Sequence, residues 1–378
     1  MNFSRLFSTL PSSLLSFQSL PIQSFVQSIP PLSIPTSEAL LPHYNLVKSI
    51  QDNPSDLASQ IRKLPRFDPS LIIDDNDQIE LATLLHAYLA SAYYWHSSTP
   101  SQRIPSNISV PFCRLSNHLD RAPMISIVST NFQNWKLKDE SKEFHPDNID
   151  SLFTFSGTDD ETFFYHCGTY IEYLGNAIIE TIPTFYNGIQ TKNEEDVKNS
   201  LKIFVDTLKD MKKALSLVFQ RVDPNVFYFG FRRYLGSFDG VIYEGVSETP
   251  LKLMGSTAAQ SPLVRLIDAI FTLNSNDTFL SGIFPYMKKE HRDFIAFVEK
   301  SRPKDIRKTV VDLDAVDEWN SVIEEFANFR KTHCKLAYQY IIKPSQGGST
   351  KGTGGSSIES FLNSLIENTR KLMITTYY

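Results

Sequence analysis

The stretch that decides the fold is residues 316–343, VDEWNSVIEEFANFRKTHCKLAYQYIIK. Four of its ring-bearing side chains recur at every seventh residue: Trp319, Phe326, His333 and Tyr340. Because seven residues make almost two helical turns, these rings share one face of a helix. Pro344 follows and ends the helix, which at a rise of ~1.5 Å per residue is about 40 Å long. The pattern predicts one long helix whose apolar face includes His333.

Helical spacing also dominates much of the remaining chain. Apolar side chains three and four residues apart predict one helix from Asp77 to Trp95 and another from Asn193 to a stop at Asp223-Pro224. The second carries a stripe of seven apolar residues: Val197, Leu201, Phe204, Leu208, Met211, Leu215 and Val218. An aromatic-rich segment, 226–235, begins a further helix. Residues 101–150 read as irregular, with a β-prone piece at 108–112.

Two capping boxes mark helix starts, one at 158–161 (Thr-Asp-Asp-Glu) and one from Ser356 to Glu359. In the first, the hydroxyl of Thr158 accepts an orphan backbone N–H while Glu161 reaches back to the cap. The same acidic cluster could bind a divalent metal, although capping accounts for each of its residues. Together the patterns predict a mostly α protein with three parts: a poorly ordered Ser/Pro-rich leader (1–37), a small N-terminal domain (38–150) and a large helical domain (151–378).

The composition excludes several classes of protein. With 41% apolar and 21% charged residues, the 378-residue chain is globular rather than disordered. A formal charge of −5 without a dense Lys/Arg run argues against a nucleic-acid partner. No apolar run reaches the ~18 residues of a membrane span. Three cysteines, none in Cys-x-x-Cys, favour a reducing compartment, so we expect a cytoplasmic protein. The acid-free leader resembles an organelle transit peptide only faintly, because its prolines break every candidate helix.

The motifs that the chain lacks narrow its chemistry. There is no Gly-x-Gly-x-x-Gly, no P-loop and no Gly-x-Ser-x-Gly. No two of the eight histidines are three or four residues apart, so no single helix supplies a histidine pair for zinc. His333 is therefore either a core residue or a lone axial ligand of the kind that haem uses. Arg330, one turn earlier, needs an anion beside the same apolar groups, and a haem propionate would be one.

Three further groups of residues could line a pocket, and each also has a plainer interpretation. The first group is Phe163, Phe164 and Cys167, in which Phe163 and Cys167 lie four residues apart in a helix and either form one pocket wall or pack in a core. Arg232 follows Phe227 in VFYFGFRRYL, and it either reaches water or binds a carboxylate. The small residues of GSTAAQS at 255–261 either let a flat ligand approach the backbone or form a turn.

These pieces, in this order and at this spacing, resemble the indoleamine 2,3-dioxygenases, haem enzymes that oxidise tryptophan. The resemblance is carried by Asp223-Pro-Asn-Val-Phe-Tyr-Phe before Arg232, Tyr243-Glu-Gly-Val, Ala-Gln260-Ser261, Phe279-Leu280, Tyr286-Met287, His291-Arg292, Arg330-x-x-His333 and Gly352-Thr-Gly-Gly. LATLLHAYLASAYYW at 81–95 and the Asn-Trp pair at 134–135 extend it towards the N-terminus. It covers roughly residues 40–372, and the ordered set is far more specific than any single piece.

The resemblance implies a small α/β N-terminal domain and a large all-helical domain that encloses haem b. It assigns His333 as the iron ligand and places Arg330, which would hold a propionate, with Asp268 and Gly354 in the cofactor site. On the substrate side it implies seven residues: Phe163, Cys167, Phe227, Arg232, Ser256, Thr257 and Ala258. Phe163 and Phe227 would pack on the indole, and Arg232 would bind the substrate carboxylate. Cys167 stands where mammalian members have serine, and the glycines at 352–355 correspond to a flexible lid.

The activity implied by the resemblance is the opening of the indole pyrrole ring of L-tryptophan, or a related indoleamine, to N-formylkynurenine with incorporation of both atoms of O2. It implies one ferrous haem b per chain, a cellular reductant and no nucleic-acid or membrane partner. The resemblance also implies a monomer that acts in tryptophan catabolism, the kynurenine pathway and NAD biosynthesis. Two alternatives stay open, namely a non-enzymatic haem protein of the same fold that binds O2, and a haem-free helical interaction protein.

Overall fold

A computed structural model describes residues 24–52, 55–271, 281–345 and 358–375, and over these ranges the protein is mostly α, as predicted. The longer helices are α1 (Leu41–Ser49), α2 (Leu57–Lys63), α3 (Asn76–Tyr94), α4 (Ser106–His118), α5 (Asp159–Leu174), α6 (Asn176–Thr191), α7 (Glu194–Arg221), α8 (Pro262–Phe271), α9 (Lys289–Ser301), α10 (Ile306–Asp312), α11 (Val316–Ala337) and α12 (Ile358–Arg370). None of the helices in the described ranges is long and apolar enough to cross a membrane. Gly354 and Ser356, and with them the predicted lid and second capping box, lie outside the described residues.

The strands form two small sheets. They are β1 (Arg103–Ile104), β2 (Trp135–Leu137), β3 (Ile149–Ser151), β4 (Phe238–Tyr243) and β5 (Leu251–Leu253). One sheet has the order β1-β4-β5, with β1 parallel to β4 and β5 antiparallel to it, and β2 pairs antiparallel with β3. Because β1 precedes the predicted domain boundary near residue 150 and β4 follows it, the larger sheet joins the two predicted parts.

Helix α3 is the centre of the N-terminal part. All of its residues from Gln78 to Tyr94 are buried, because α1, α2 and α4 pack around it. The Asp75 side chain caps its start by accepting a hydrogen bond from the Gln78 backbone N–H at 3.0 Å. The predicted helix from Asp77 to Trp95 is therefore confirmed to within one residue at each end.

Helix α4 corrects the prediction of a β-prone piece at 108–112. Ile108, Phe112 and Leu115 are almost fully buried, and their spacing of four and three is that of a helix face. The β-branched residues and Pro111 favour a strand or a break locally. Packing of this face against α3 outweighs that preference, and Pro111 is accommodated inside the helix.

Helices α7 and α11 form the centre of the helical part, where α5 and α6 pack on α7 and α12 packs on α11. All seven residues of the stripe predicted in α7 are buried, and Asn193 caps the helix as predicted by accepting from the Asp196 N–H. In α11 the rings of Trp319 and Phe326 are fully buried. The long helix predicted over 316–343 is thus confirmed for most of its length.

A π-helical turn, Tyr338–Ile342, replaces the last α-helical turn of that prediction. Within it, the Tyr340 hydroxyl lies 2.8 Å from the carbonyl oxygens of both Val218 and Val222 at the end of α7. A buried hydroxyl needs such partners. This contact ties the end of α11 to the end of α7.

The first predicted capping box forms only by half. The Thr158 hydroxyl accepts from the Glu161 N–H at 3.3 Å, as predicted. The Glu161 carboxylate instead accepts from the backbone N–H groups of Phe155 and Ser156, at 2.9 and 2.7 Å. Glu161 is fully buried and accepts hydrogen bonds from the loop that precedes α5 rather than from the cap residue. Burial raises the pKa of its carboxyl group.

The described end of the predicted leader contacts the core. Phe25 and Val26 are each 2% exposed, and the Phe25 ring packs edge-on against His291, with ring centroids 4.9 Å apart. Residues 24–37 therefore include side chains that belong to the packed interior.

Candidate functional site

A cavity of about 260 Å³ lies in the helical part, bordered by α5, α8, α11 and α12. Its walls are mostly apolar. An engineered apolar cavity of ~150 Å³ already accommodates benzene. The cavity is therefore large enough for a bulkier aromatic group.

Three π-helical turns border this cavity. They are Val128–Phe132, which contributes Thr130 and Asn131, Val226–Phe231, which contributes Phe227, and Tyr338–Ile342, which contributes Ile341. Such turns are uncommon and occur frequently at functional sites. Their convergence on one cavity makes it the candidate functional site.

His333 borders the cavity from α11. Its side chain is half-buried because it faces this internal space, and it has no hydrogen-bond partner among the described residues. Burial, and then the charge of Arg330, lowers its pKa to about 4. The imidazole is therefore neutral at physiological pH and retains a nitrogen lone pair, as a metal ligand requires. Cys334, the next residue, is not among the lining residues.

The predicted cofactor residues Arg330 and Asp268 form a buried ion pair. A second arginine, Arg265, binds the same carboxylate. Arg330 Nη2 lies 2.5 Å from Asp268 Oδ1, and Arg265 Nη2 lies 2.6 Å from Asp268 Oδ2. Arg330 Nη1 donates to the Leu365 carbonyl oxygen and the Thr369 hydroxyl on α12. Burial lowers the pKa of Arg330, Asp268 opposes this effect and Arg265 adds to it. In this structure Asp268 is the anion that a buried Arg330 requires.

Five of the predicted substrate-side residues border the same cavity: Cys167, Phe227, Ser256, Thr257 and Ala258. Phe227 packs against Phe164, with ring centroids 4.7 Å apart. Cys167 donates its S–H to the Ala214 carbonyl oxygen at 3.3 Å, and burial raises its pKa to about 12. It therefore stays a neutral thiol.

The segment at 256–258 is held by its own capping box. The Thr257 hydroxyl accepts from the Ala259 N–H, while the Gln260 side chain accepts from the Thr257 N–H. Gln260 also donates to the Gly255 carbonyl oxygen at 2.9 Å. Small side chains on a fixed backbone leave space next to the cavity.

Two predicted substrate-side residues do not border the cavity. Phe163 packs beneath Arg221, whose guanidinium carbon lies 4.7 Å from the ring centroid, and Phe164 lines the cavity instead. Of the three residues named on α5, Phe164 and Cys167 border the cavity and Phe163 does not. Arg232 is half-buried, with its guanidinium carbon 5.2 Å from the Tyr228 ring centroid. It is outside the lining set.

Among the lining residues on α5 that the sequence did not predict, Gly168 and Glu172 stand out by their surroundings. At Gly168 an added Cβ would lie 2.3 Å from Asn131 Nδ2, so only glycine allows this close approach. Glu172 is buried, and it accepts from the Ser261 hydroxyl and from the Leu263 N–H at 3.2 Å, at the start of α8. Burial raises its pKa to about 7, while these two donors oppose the shift. Their positions four and eight residues after Phe164 are the signal that could have revealed them.

The cavity suits a flat apolar cofactor that carries acidic groups and a metal. The unpartnered His333 imidazole can ligate the metal, and the cationic residues at the same wall can bind acids. Comparison with known proteins identifies the group of relatives. The family model for indoleamine 2,3-dioxygenase matches residues 15–372. The chain belongs to the indoleamine 2,3-dioxygenase family.

Three relatives illustrate how far the likeness extends. The chain is 28% identical to rat indoleamine 2,3-dioxygenase 1, over 88% of each chain. It is 26% identical to the indoleamine 2,3-dioxygenase of Saccharomyces cerevisiae, over 76% of this chain and 71% of the relative. It is also 24% identical to a myoglobin of the abalone Haliotis diversicolor, over 90% of this chain and 94% of the relative. Membership of the family supports a haem dioxygenase of the oxidoreductase class.

Proposed function

We propose that the protein is a haem-dependent dioxygenase that opens the indole ring of L-tryptophan to give N-formylkynurenine. The observation that carries the proposal is the neutral, unpartnered imidazole of His333 at an apolar cavity of about 260 Å³. A haem b, one per chain, would be held by His333 as its single protein ligand and by the cationic wall at its acidic groups. In its ferrous form the haem would supply the iron chemistry that activates O2.

The residues of the chain act by excluding water and by orienting the substrate. The apolar wall keeps the reaction away from solvent, and Phe227 offers a face on which an indole can pack. Ring opening adds both atoms of O2 to tryptophan and releases no group, so no proton has to be removed overall. The neutral thiol of Cys167 is compatible with this, because it is neither a base nor an ion.

Arg232 is proposed to bind the substrate carboxylate from the rim of the cavity. It directly follows the π-helical turn that contributes Phe227, so an indole on Phe227 would bring its carboxylate towards this arginine. Burial lowers the pKa of Arg232, and it remains a cation at neutral pH. A guanidinium binds a carboxylate through charge-assisted hydrogen bonds. Phe163, although it does not line the cavity, is proposed to support the same rim through its contact with Arg221.

A second candidate function is the reversible binding of O2 by haem without turnover. Two observations favour it: the likeness to abalone myoglobins over most of the chain, and the positions of Phe163 and Arg232 outside the cavity wall. This function needs His333 and the apolar cavity but no residue that binds an amino acid. The two functions therefore differ in their response to tryptophan.

The test is to incubate the reduced, haem-loaded full chain with O2 and L-tryptophan and to assay N-formylkynurenine. Formation of product would support the dioxygenase, and we expect Arg232→Ala to raise KM more than it lowers kcat. A stable oxygenated complex whose spectrum and lifetime are unchanged by tryptophan would support O2 binding instead. A protein that stays colourless with excess haemin would contradict both.

We also propose the cellular setting that this activity implies. A monomer in the cytoplasm, kept ferrous by a cellular reductant, would act in tryptophan catabolism at the start of the kynurenine pathway, which leads to NAD biosynthesis.

A further inference from the structure

Arg265 borders the cavity beside the cofactor residues and has hydrogen-bonding capacity that the described part of the chain leaves unused. It lies on α8, three residues before Asp268, and its side chain is 7% exposed. One nitrogen, Nη2, pairs with Asp268 at 2.6 Å. Its Nε is buried without a hydrogen-bond partner, and no partner of Nη1 is present among the described residues. An arginine this deeply buried ordinarily has partners for most of its donors.

Arg330, the arginine that the family resemblance assigns to a propionate, is in the opposite situation. Both of its terminal nitrogens are occupied, Nη2 by Asp268 and Nη1 by Leu365 and Thr369 on α12. Only Nε remains, and it is buried, as is Nε of Arg265. Its guanidinium also stacks on the Phe326 ring, with the carbon 4.1 Å from the centroid. Arg330 could take a new carboxylate in its fork only by giving up one of these contacts.

The charge balance beside the cavity would accommodate an additional anion, because two arginines share one aspartate. Arg265 and Arg330 face a single fully engaged carboxylate, Asp268, which binds one arginine through each oxygen. Glu172 is the acid that borders the cavity within the described ranges, and its oxygens are already engaged by Ser261 and the Leu263 N–H. A carboxylate from a bound molecule would find its unused donors on Arg265.

We propose that Arg265 is the principal binding residue for a carboxylate of the cofactor, and that Arg330 is a positioning residue that fixes Asp268 and α12. The proposal rests on the proposed function, because it takes haem, with its two propionates, as the cofactor. Arg265 offers Nη1, a charged donor that has no partner among the described residues, and a hydrogen bond from a guanidinium to a carboxylate is charge-assisted. Asp268 holds this guanidinium in place through Nη2.

The test measures the rate at which haem leaves the full-length ferric protein for an excess of an acceptor apoprotein. Two cofactors are compared, protohaem and its dimethyl ester, in which both carboxylates are blocked. We expect Arg265→Gln to release protohaem at least tenfold faster than the wild type and to release the ester at a similar rate to the wild type. Arg103→Gln, a surface ion-pair variant on β1 outside the cavity, is the matched control and should change neither rate.

The variant should fold, because Asp268 keeps Arg330 as its partner when Arg265 is lost. If it does not, the wild-type protein still decides the matter, since it should release the dimethyl ester at least tenfold faster than protohaem. Arg265→Lys should lie between the wild type and Arg265→Gln, because it keeps the charge but not the fixed planar geometry of the guanidinium.

Equal release of both cofactors from the wild type, or an unchanged release rate of protohaem from Arg265→Gln, would overturn the role of Arg265. Either result leaves the proposed function intact as long as haem binds through His333. Failure of the wild type to bind haem at all would instead overturn the proposed function and this inference with it.

Discussion

Replacement of Asp268 by asparagine should cost more stability than any single polar substitution among the residues that border the cavity. The side chain of Asp268 is 8% exposed, and each of its carboxylate oxygens pairs with a different arginine at 2.5–2.6 Å. Asparagine has nearly the same shape but no charge, so the change leaves two buried guanidinium groups without a counter-ion. Removal of one partner from a buried ion pair typically costs about 3–5 kcal/mol. Because two arginines lose their anion here, we expect a loss in the free energy of unfolding at the upper end of that range.

The assay is urea unfolding of the cofactor-free protein for the wild type, Asp268→Asn, Arg265→Gln and the double variant. Arg265→Gln alone should cost about 1–3 kcal/mol, because Asp268 keeps Arg330. The double variant should be more stable than the sum of the single losses predicts, by about 0.5–3 kcal/mol, since it leaves one uncompensated arginine instead of two. Asp239→Asn, in an exposed ion pair with Lys252, is the control and should not shift the midpoint. A loss below ~1 kcal/mol for Asp268→Asn at an unchanged m-value would refute the reasoning.

Three further outcomes are expected. The stacked, buried pair His43 and His86 has pKa values lowered to about 4 and about 3, chiefly by burial, so the folded protein binds these protons more weakly than the unfolded chain does. The free energy of unfolding should therefore be at its full value above pH 6.5 and fall by about 3 kcal/mol from His43 alone as the pH approaches 4. The variant His43→Phe should flatten the pH profile of the urea midpoint over this interval. Gly168→Ala should cost about 1–3 kcal/mol in urea unfolding, because the new Cβ displaces the Asn131 amide from its buried hydrogen bond, and an unchanged midpoint would show that the amide can move freely. Phe227→Ala should lower kcat/KM for L-tryptophan at least tenfold with the haem spectrum retained, whereas equal kinetics would remove this ring from the substrate site.

The helices that the sequence predicts best are those with a single dominant apolar stripe. The seven-residue stripe of α7 and the rings of α11 identify their helices because each buries one face over many turns. Helix α4 was missed because Pro111 and its β-branched neighbours favour other structures locally, and only the contact with α3 decides in favour of a helix. Such a contact between distant segments leaves no local mark in the sequence.

The candidate site was predictable where one helix face determines which side chains meet. His333 and Cys167 were identified in this way, and both border the cavity. The choice of Phe163 over Phe164 depends on a rotation of about 100° around α5, which the pattern of two adjacent phenylalanines cannot resolve. The ion-pair network around Asp268 required the relative positions of α8, α11 and α12, although the spacing of three residues between Arg265 and Asp268 was visible in the sequence.

The most direct test of the account is the absorption spectrum of the haem-loaded protein with His333 replaced by glycine. The account predicts that the variant loses the Soret band of the wild type, and that added imidazole restores it by occupying the position of the missing side chain. Unfolding of the cofactor-free variant should stay cooperative, which would separate loss of the ligand from loss of the fold. A His333→Gly protein that keeps the wild-type spectrum without imidazole would contradict the claim that this residue binds the iron.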